Sequence, residues 1–171
     1  MFGIESETEW AATRDDHFKL VINYLDAEFK DLSTVQNRFN APAVPVNLKG
    51  NRPVQSPKWT LVGRYDRDIQ LSAGTVSFGI MSMLKSEYYL SAFNYAGDKQ
   101  QSFTKTDFNV NFAPKGGKVD IGFFIQNLED NRILTFAAFT GNTINVYNWI
   151  FGNPRTFGLQ FNYRFRGKTV N

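Results

Sequence analysis

Three carboxylates at alternate positions, Glu5, Glu7 and Glu9, are the first residues whose type and spacing could do chemistry. Side chains of an extended strand repeat with a period of two, so all three share one face, where stacked carboxylates could hold a cation. The competing reading is an acidic ladder in solvent, paired with Lys or Arg of neighbouring strands. It is favoured because no histidine and no second acidic cluster converges on the three. His17, the only histidine, stands beside a turn at Arg14-Asp15-Asp16 and reads as solvated rather than catalytic. Gly116-Gly117-Lys118 looks like part of a phosphate loop, but it lacks a strand-loop-helix context and reads as a turn that uses the positive φ of glycine. The absence of cysteine excludes a disulfide scaffold and a thiolate metal site. No Ser/His/Asp, Cys/His or metal-ligand set is visible, so the chain is not read as an enzyme, and no catalytic residue, metal or cofactor is assigned.

The elements that would position such groups are strands. In R-T-F-G-L-Q-F-N-Y-R-F, Arg155 to Phe165, the residues Phe157, Leu159, Phe161, Tyr163 and Phe165 alternate without a break against Thr156, Gly158, Gln160, Asn162 and Arg164. The run of about 11 residues is roughly twice the common strand length and close to what a tilted strand needs to cross a bilayer. Similar alternation runs through Phe2 to Ala12, Phe18 to about Phe29, Pro57 to Leu71, Thr75 to Leu90, Phe103 to Ala113 and Lys118 to Leu128, and a slip near Tyr24-Leu25-Asp26-Ala27 suggests a bulge. Seven strands result, with no convincing helix. Alternation shows that one face is buried, without saying whether lipid or a protein core buries it.

The connections help to choose. They alternate short and long: Arg14 to Asp16, Lys30 to Ser56, Ser72 to Gly74, Ser91 to Ser102, Pro114 to Gly117 and Glu129 to Pro154. In an up-and-down antiparallel sheet successive turns lie at opposite ends, so all the long loops fall on one side, the asymmetry of outer-membrane barrels. Trp10, Trp59, Tyr88 and Phe165, near strand ends, would suit interfacial girdles. The net charge of +3 is scattered and gives no nucleic-acid footprint. No apolar run approaches the roughly 18 residues of a membrane helix, and barrels escape that criterion because lumen-facing residues dilute every strand. The N-terminus M-F-G-I-E-S-E-T-E-W has no signal-peptide pattern, which by itself points to the cytoplasm or to a chain whose true beginning is missing.

The series G-I-E-S-E-T-E-W (Gly3 to Trp10), Y-L-D-A-E-F (Tyr24 to Phe29), L-K-G-N-R-P-V-Q-S-P-K-W (Leu48 to Trp59), V-D-I-G-F-F-I-Q-N-L-E-D-N-R (Val119 to Arg132) and P-R-T-F-G-L-Q-F-N-Y-R-F (Pro154 to Phe165) resembles the C-terminal β-barrel part of a TonB-dependent outer-membrane receptor. The resemblance implies an all-β fold: an antiparallel up-and-down meander of about seven long strands, the C-terminal portion of a transmembrane β-barrel of roughly 22 strands with a plugged lumen. Residues 1–165 would form the barrel part and 166–171 a short polar tail after the last aromatic, Phe165. The family's plug domain and TonB-engaging segment have no counterpart here, which makes the chain a fragment and Met1 an internal methionine or a false start.

In the parent receptor the implied function is active uptake of a nutrient across the Gram-negative outer membrane, usually a ferric siderophore, in some members a cobalamin or an oligosaccharide. The implied partners are outer-membrane lipid, the plug domain and TonB complex through the missing N-terminal part, and the small nutrient; nucleic acid is not among them. Tyr95, Tyr147 and Trp149 in the long loops are the candidate ligand contacts. Two other readings stay open: a soluble lipocalin-like ligand-binding β-barrel and a passive porin.

Overall fold

A computed structural model describes residues 1–38, 41–140 and 146–165. Its strands in chain order are β1 (Phe2–Ala11), β2 (Asp16–Asp26), β3 (Ser33–Arg38), β4 (Ala41–Asn47), β5 (Trp59–Leu71), β6 (Gly74–Lys85), β7 (Tyr88–Tyr89), β8 (Lys99–Gln100), β9 (Phe103–Pro114), β10 (Val119–Gln126), β11 (Leu134–Thr140), β12 (Val146–Phe151) and β13 (Thr156–Tyr163). Among the described residues the only helical element is a 3-10 turn at Ala96–Asp98. Seven strands form one antiparallel meander in the order β1-β2-β5-β6-β9-β10-β13, and the other six pair off as the hairpins β3–β4, β7–β8 and β11–β12.

Strict alternation is what holds this register. One row of directly opposed residues, Trp10, Phe18, Tyr65, Ile80, Phe108, Ile125 and Phe157, takes one apolar side chain from each of the seven strands. The adjacent row on the other face begins Glu9, Lys19, Arg64, Met81, Asp107. A slip of one residue anywhere would exchange the two faces of a strand, so the pattern itself forbids it. The apolar row starts one residue before the end of β1, at the short-turn end, and finishes one residue inside β13, at the long-loop end. Such a stagger tilts strands when a sheet closes on itself.

Aromatic rings gather where strands end on the apolar face. Trp10, Phe18, Tyr65 and Phe78 follow one another with centroids 5.3, 4.5 and 5.6 Å apart toward the short turns. Phe2, Tyr24 and Trp59 do the same, at 6.4 and 4.7 Å, toward the long loops. Among the described residues nothing covers the apolar face of the sheet: Phe157, Leu159 and Phe161 are 71, 65 and 65 % exposed. The buried apolar residues Ala27, Leu48, Tyr88 and Ala137 lie instead in a cap that the long connections build at one end of the sheet, and Phe103 lies beneath it at the end of β9.

Three sequence-based expectations are corrected. The strand expected over Thr75 to Leu90 ends at Lys85, and Tyr88, expected at a girdle, is buried in the cap in a separate short strand. The slip after Tyr24 is no bulge: pairing with β1 runs unbroken to Phe2 opposite Asp26, where β2 ends. The segment Lys30 to Ser56, read as a long connection between strands, holds the β3–β4 hairpin, with Pro45 opposite Val35. A two-stranded hairpin leaves one edge of each strand unpaired, so Pro42 and Pro45 remove no needed donor when they face that edge. The tail 166–171 lies outside the described residues.

At the turn between β5 and β6, Gly74 has φ +153°, and a Cβ there would stand 2.3 Å from the Ala113 carbonyl oxygen and 2.8 Å from Pro114 Cα. Both obstacles are backbone of the paired strand β9, which cannot swing aside as a side chain would. Gly74→Ala is therefore expected to cost about 3 kcal/mol, read as a lowered thermal midpoint. Gly116, equally in a turn but with open space around it, should cost less.

Candidate functional site

A depression of about 530 Å³ lies near the short-turn end, lined by Trp10, His17, Lys19, Arg64 and Asp66. At that end Thr13 Oγ1–H donates to Asp16 Oδ2 at 2.6 Å, and Gly117 N–H donates to Pro114 O at 3.0 Å, which makes Gly116-Gly117-Lys118 a plain turn. On the polar face Lys19 Nζ bridges the acidic ladder, donating to Glu7 and, at 3.0 Å, to Glu9 Oε1. The carboxylates thus carry a cation of their own chain. Among the described residues no group of three or more His, Asp or Glu is arranged to hold a metal ion. His17 is exposed, opposite Asp66.

The cap is built by side chains that satisfy other loops' backbone, as buried irregular chain requires. Asn51 Nδ2–H donates to the carbonyls of Ala92 and Phe93 (2.9 and 3.1 Å), while Asn94 accepts from Arg52 N–H at 2.7 Å and donates to Arg52 O at 3.0 Å. This stitches the loop after β4 to the loop after β7. Glu87 takes Lys99 at 2.7 Å and Arg52 at 3.7 Å, and the Lys99 hydrogen bond holds its carboxyl below the ordinary range.

The turn after β10 is tied more heavily. Asn127, 1 % exposed, donates from Nδ2 to the carbonyls of Asn131 and Asn153 (3.0 and 3.1 Å) and accepts Asn131 N–H at 3.1 Å. Its own N–H donates to Asp107 Oδ1 at 2.8 Å, and Asn131 Nδ2–H reaches Thr104 O at 2.7 Å. Glu129 accepts Thr106 N–H at 2.8 Å and Thr106 Oγ1–H at 2.5 Å. Desolvation raises the Glu129 carboxyl, and the two Thr106 donors together with the residue's own backbone N–H outweigh it, so its pKa lies below the ordinary 4.5. A depressed folded pKa contributes stability above the unfolded value that is lost as pH falls through the folded one. The protection factor of Thr106 N–H against hydrogen exchange, corrected for the intrinsic rate, should therefore fall as pH drops below about 4.5, and Glu129→Gln should flatten that dependence.

Tyr95, Tyr147 and Trp149 all fall in the cap. Tyr95 stacks on Phe93 at 5.4 Å with planes 7° apart. Tyr147 lies against the 3-10 turn, so close that a Cβ on Gly97 would meet its ring at 2.8 Å, and Trp149 Nε1–H donates to Gly97 O at 2.9 Å. Burial raises the Tyr147 phenol, with lesser help from Asp98 and Tyr95. The β11–β12 hairpin is thus seated on the Ala96–Asp98 turn by two of the three aromatics, whose rings are 6.2 Å apart.

Sequence reasoning missed the cavity beneath these loops. It measures about 370 Å³ and lies where the polar face of β6, β9 and β10 meets the cap. Met83, Lys85, Phe103 and Lys105 line it from the sheet, with Tyr88 beside Phe103, edge to face at 6.5 Å; Ile133, Gly152 and Pro154 close it from the last long connection. Lys105 pairs with Asp107 at 3.4 Å. The available signal was the phase of alternation, which puts Lys85 and Lys105 on one face near the same end.

No family model and no curated relative matches the sequence. Solved structures do match in fold. The ferric yersiniabactin uptake receptor FyuA of Yersinia pestis aligns over 96% of this chain and 23% of its own, with TM-score 0.74 and 16% identity. The siderophore receptor PiuA of Acinetobacter baumannii aligns over 94% of this chain and 21% of its own, with TM-score 0.72 and 17% identity. BauA, the ferric preacinetobactin receptor of the same species, gives TM-score 0.66 and 21% identity over 94% of this chain and 21% of its own. The chain thus spans between a fifth and a quarter of each receptor's length. At this identity the likeness speaks to the fold: the seven-stranded antiparallel sheet matches the barrel part of TonB-dependent receptors.

Proposed function

We propose that this chain is the C-terminal wall and loop cap of an outer-membrane, TonB-dependent receptor that takes up a ferric siderophore. The observation that carries the reading is the match of nearly the whole chain, 94–96%, to three receptors whose names specify siderophores or their ferric complexes. The physical features agree with it. An apolar face that nothing covers, bordered by aromatic rings toward both ends, suits lipid contact. Strands of 12 or 13 residues, such as β5, β6 and β9, extend about 40 Å at 3.3 Å per residue, and a tilt of about 40° brings that to roughly the thickness of a bilayer. A soluble lipocalin-like barrel would turn the same apolar face inward and bury it.

In this reading residues 1–165 are barrel wall and cap. The polar face, with Glu5, Glu7, Glu9, Arg64, Asp66, Lys85, Lys105 and Asp107, meets water and the plug domain, together with Lys58, Glu87 and Arg164 just beyond the strand ends. The TonB complex acts through parts of the receptor beyond this chain. Tyr95, Tyr147 and Trp149 are proposed ligand contacts at the rim; Trp149, 53 % exposed, has the most ring area left to offer.

The test is iron uptake. The full-length protein containing this chain, expressed in an iron-starved Gram-negative host lacking its own siderophore receptors, should restore accumulation of radioactive iron from at least one of a panel of ferric siderophores. Deleting TonB should abolish that accumulation. Uptake that persists without TonB would identify a passive porin, and absence of uptake across the panel would defeat the siderophore assignment.

A further inference from the structure

The polar wall of the cap cavity carries an unbalanced positive charge. Lys85 stands opposite Phe103, and Lys105 opposite Met83, in neighbouring strands. The two lysines are therefore diagonal neighbours on one face, about 7 Å apart at their Cβ atoms. Asp107, 3.4 Å from Lys105, accounts for one of the two charges. The carboxylate of Glu87 is engaged by Lys99 and Arg52. Among the described residues no acid pairs with Lys85. An ammonium held near a second one, against a part-apolar wall, is a position that an anion would relieve.

The remaining lining says what kind of anion. Tyr88, 8 % exposed, and Phe103, 9 % exposed, present a rigid aromatic corner, and Met83, Ile133 and Pro154 extend the apolar surface. The side-chain amides of Gln55 and Gln126 supply donors and acceptors around it. One unmatched cation asks for one negative charge, since a dianion would leave an excess. The aromatic corner asks for a flat apolar body. About 370 Å³ is within the range of small-molecule sites and large enough for a substituted ring.

We infer that the cavity between the β6–β9 wall and the loop cap is a binding subsite for a flat organic monoanion, an aryl carboxylate or a group of the same shape and charge, with Lys85 as the anion's partner and the Tyr88–Phe103 corner as the seat of its ring. The inference rests on the receptor reading in one respect, that the anion forms part of the cargo. The cavity itself is formed by this chain alone.

Benzoate and benzamide separate charge from shape, because the two share a ring and a planar head and differ in the negative charge. The full-length protein in a non-ionic detergent should bind benzoate at least tenfold more tightly than benzamide by titration calorimetry or saturation-transfer NMR. Lys85→Met should bring that ratio to near one, and Lys85→Arg should keep most of it. Lys118→Met, at the short-turn end, should leave it unchanged. A ratio near one in the unmutated protein overturns the inference even if Lys85→Met does not fold, and so does an undiminished ratio in a folded Lys85→Met protein. TonB-dependent iron uptake by a protein without benzoate preference would remove the subsite and leave the receptor reading standing. A clear preference in a protein that transports no ferric siderophore would do the reverse.

Discussion

Ile80→Arg should nearly abolish assembly of the protein into membranes, at a cost of about 2–4 kcal/mol, the penalty for an arginine at the bilayer midplane on the lipid face of a barrel. Ile80 lies near the middle of β6 on the apolar face, between Tyr65 and Phe108, and is 38 % exposed with nothing packed over it. Two companion substitutions separate lipid from a protein core as the burying phase. Ile69→Arg places the same charge on the same face near the short-turn end, in register with Val76, where a bilayer penalty falls to about 0–1 kcal/mol. A protein core has no such dependence on depth. Ser77→Arg puts the charge on the polar face opposite Asp68 and Asn111 and should change stability by no more than about 0.5 kcal/mol. The fraction inserted into lipid vesicles should fall steeply for Ile80→Arg and little for the other two. Equal losses for Ile80→Arg and Ile69→Arg would argue against a lipid-facing surface.

Asn127→Ala should have the second large effect, confined to the cap. The side chain makes three hydrogen bonds in a site 1 % exposed to solvent, so alanine leaves two carbonyls and one N–H without their partner. The residue also holds φ +54°, which asparagine tolerates better than alanine. Three lost bonds and the backbone strain together amount to about 3–5 kcal/mol. Asn127→Gly removes the same bonds but not the conformation, and should cost about 1 kcal/mol less. The measurement is limited proteolysis between residues 128 and 153: the alanine variant should be cut there while the sheet strands stay protected. A variant as resistant as the unmutated protein would show that the ties through Asn131, Glu129 and Asp107 are sufficient without Asn127.

These two predictions draw on parts of the molecule that differed in how plainly the sequence announced them. The face occupied by Ile80 is set by alternation alone. Trp10, Phe18, Tyr65, Phe108, Ile125 and Phe157 all fall in phase, because a pleated backbone sends neighbouring side chains to opposite sides whatever surrounds it. The segregation of short turns and long loops followed from counting residues between strands, and the antiparallel meander from the shortness of the turns at 12–15, 72–73 and 115–118. The acidic ladder and its lysine were legible for the same reason, since Glu7, Glu9 and Lys19 share a face of adjacent strands.

Asn127 announced nothing. An Asn-Leu-Glu-Asp-Asn run is polar and turn-like in any protein, and only the path of the chain brings Asn153, Asp107 and Thr106 around it. The hairpins inside the long connections were hidden because their strands are short, one of them contains two prolines, and their apolar residues answer to other loops rather than to a repeating face. The cap cavity was hidden for a related reason: Lys85 and Phe103 are joined by pairing across a loop, and Ile133 and Gly152 enter from a third segment.

Local backbone geometry, with its period of two, was thus enough to determine from the sequence the strands, their faces and the end of the sheet where the loops gather. Contacts between residues far apart in the chain carry no period. The seat of the β11–β12 hairpin on Gly97, the Asn127 tie and the unmatched charge of Lys85 were decided only by the tertiary structure, where loop packing and strand register set which distant groups meet.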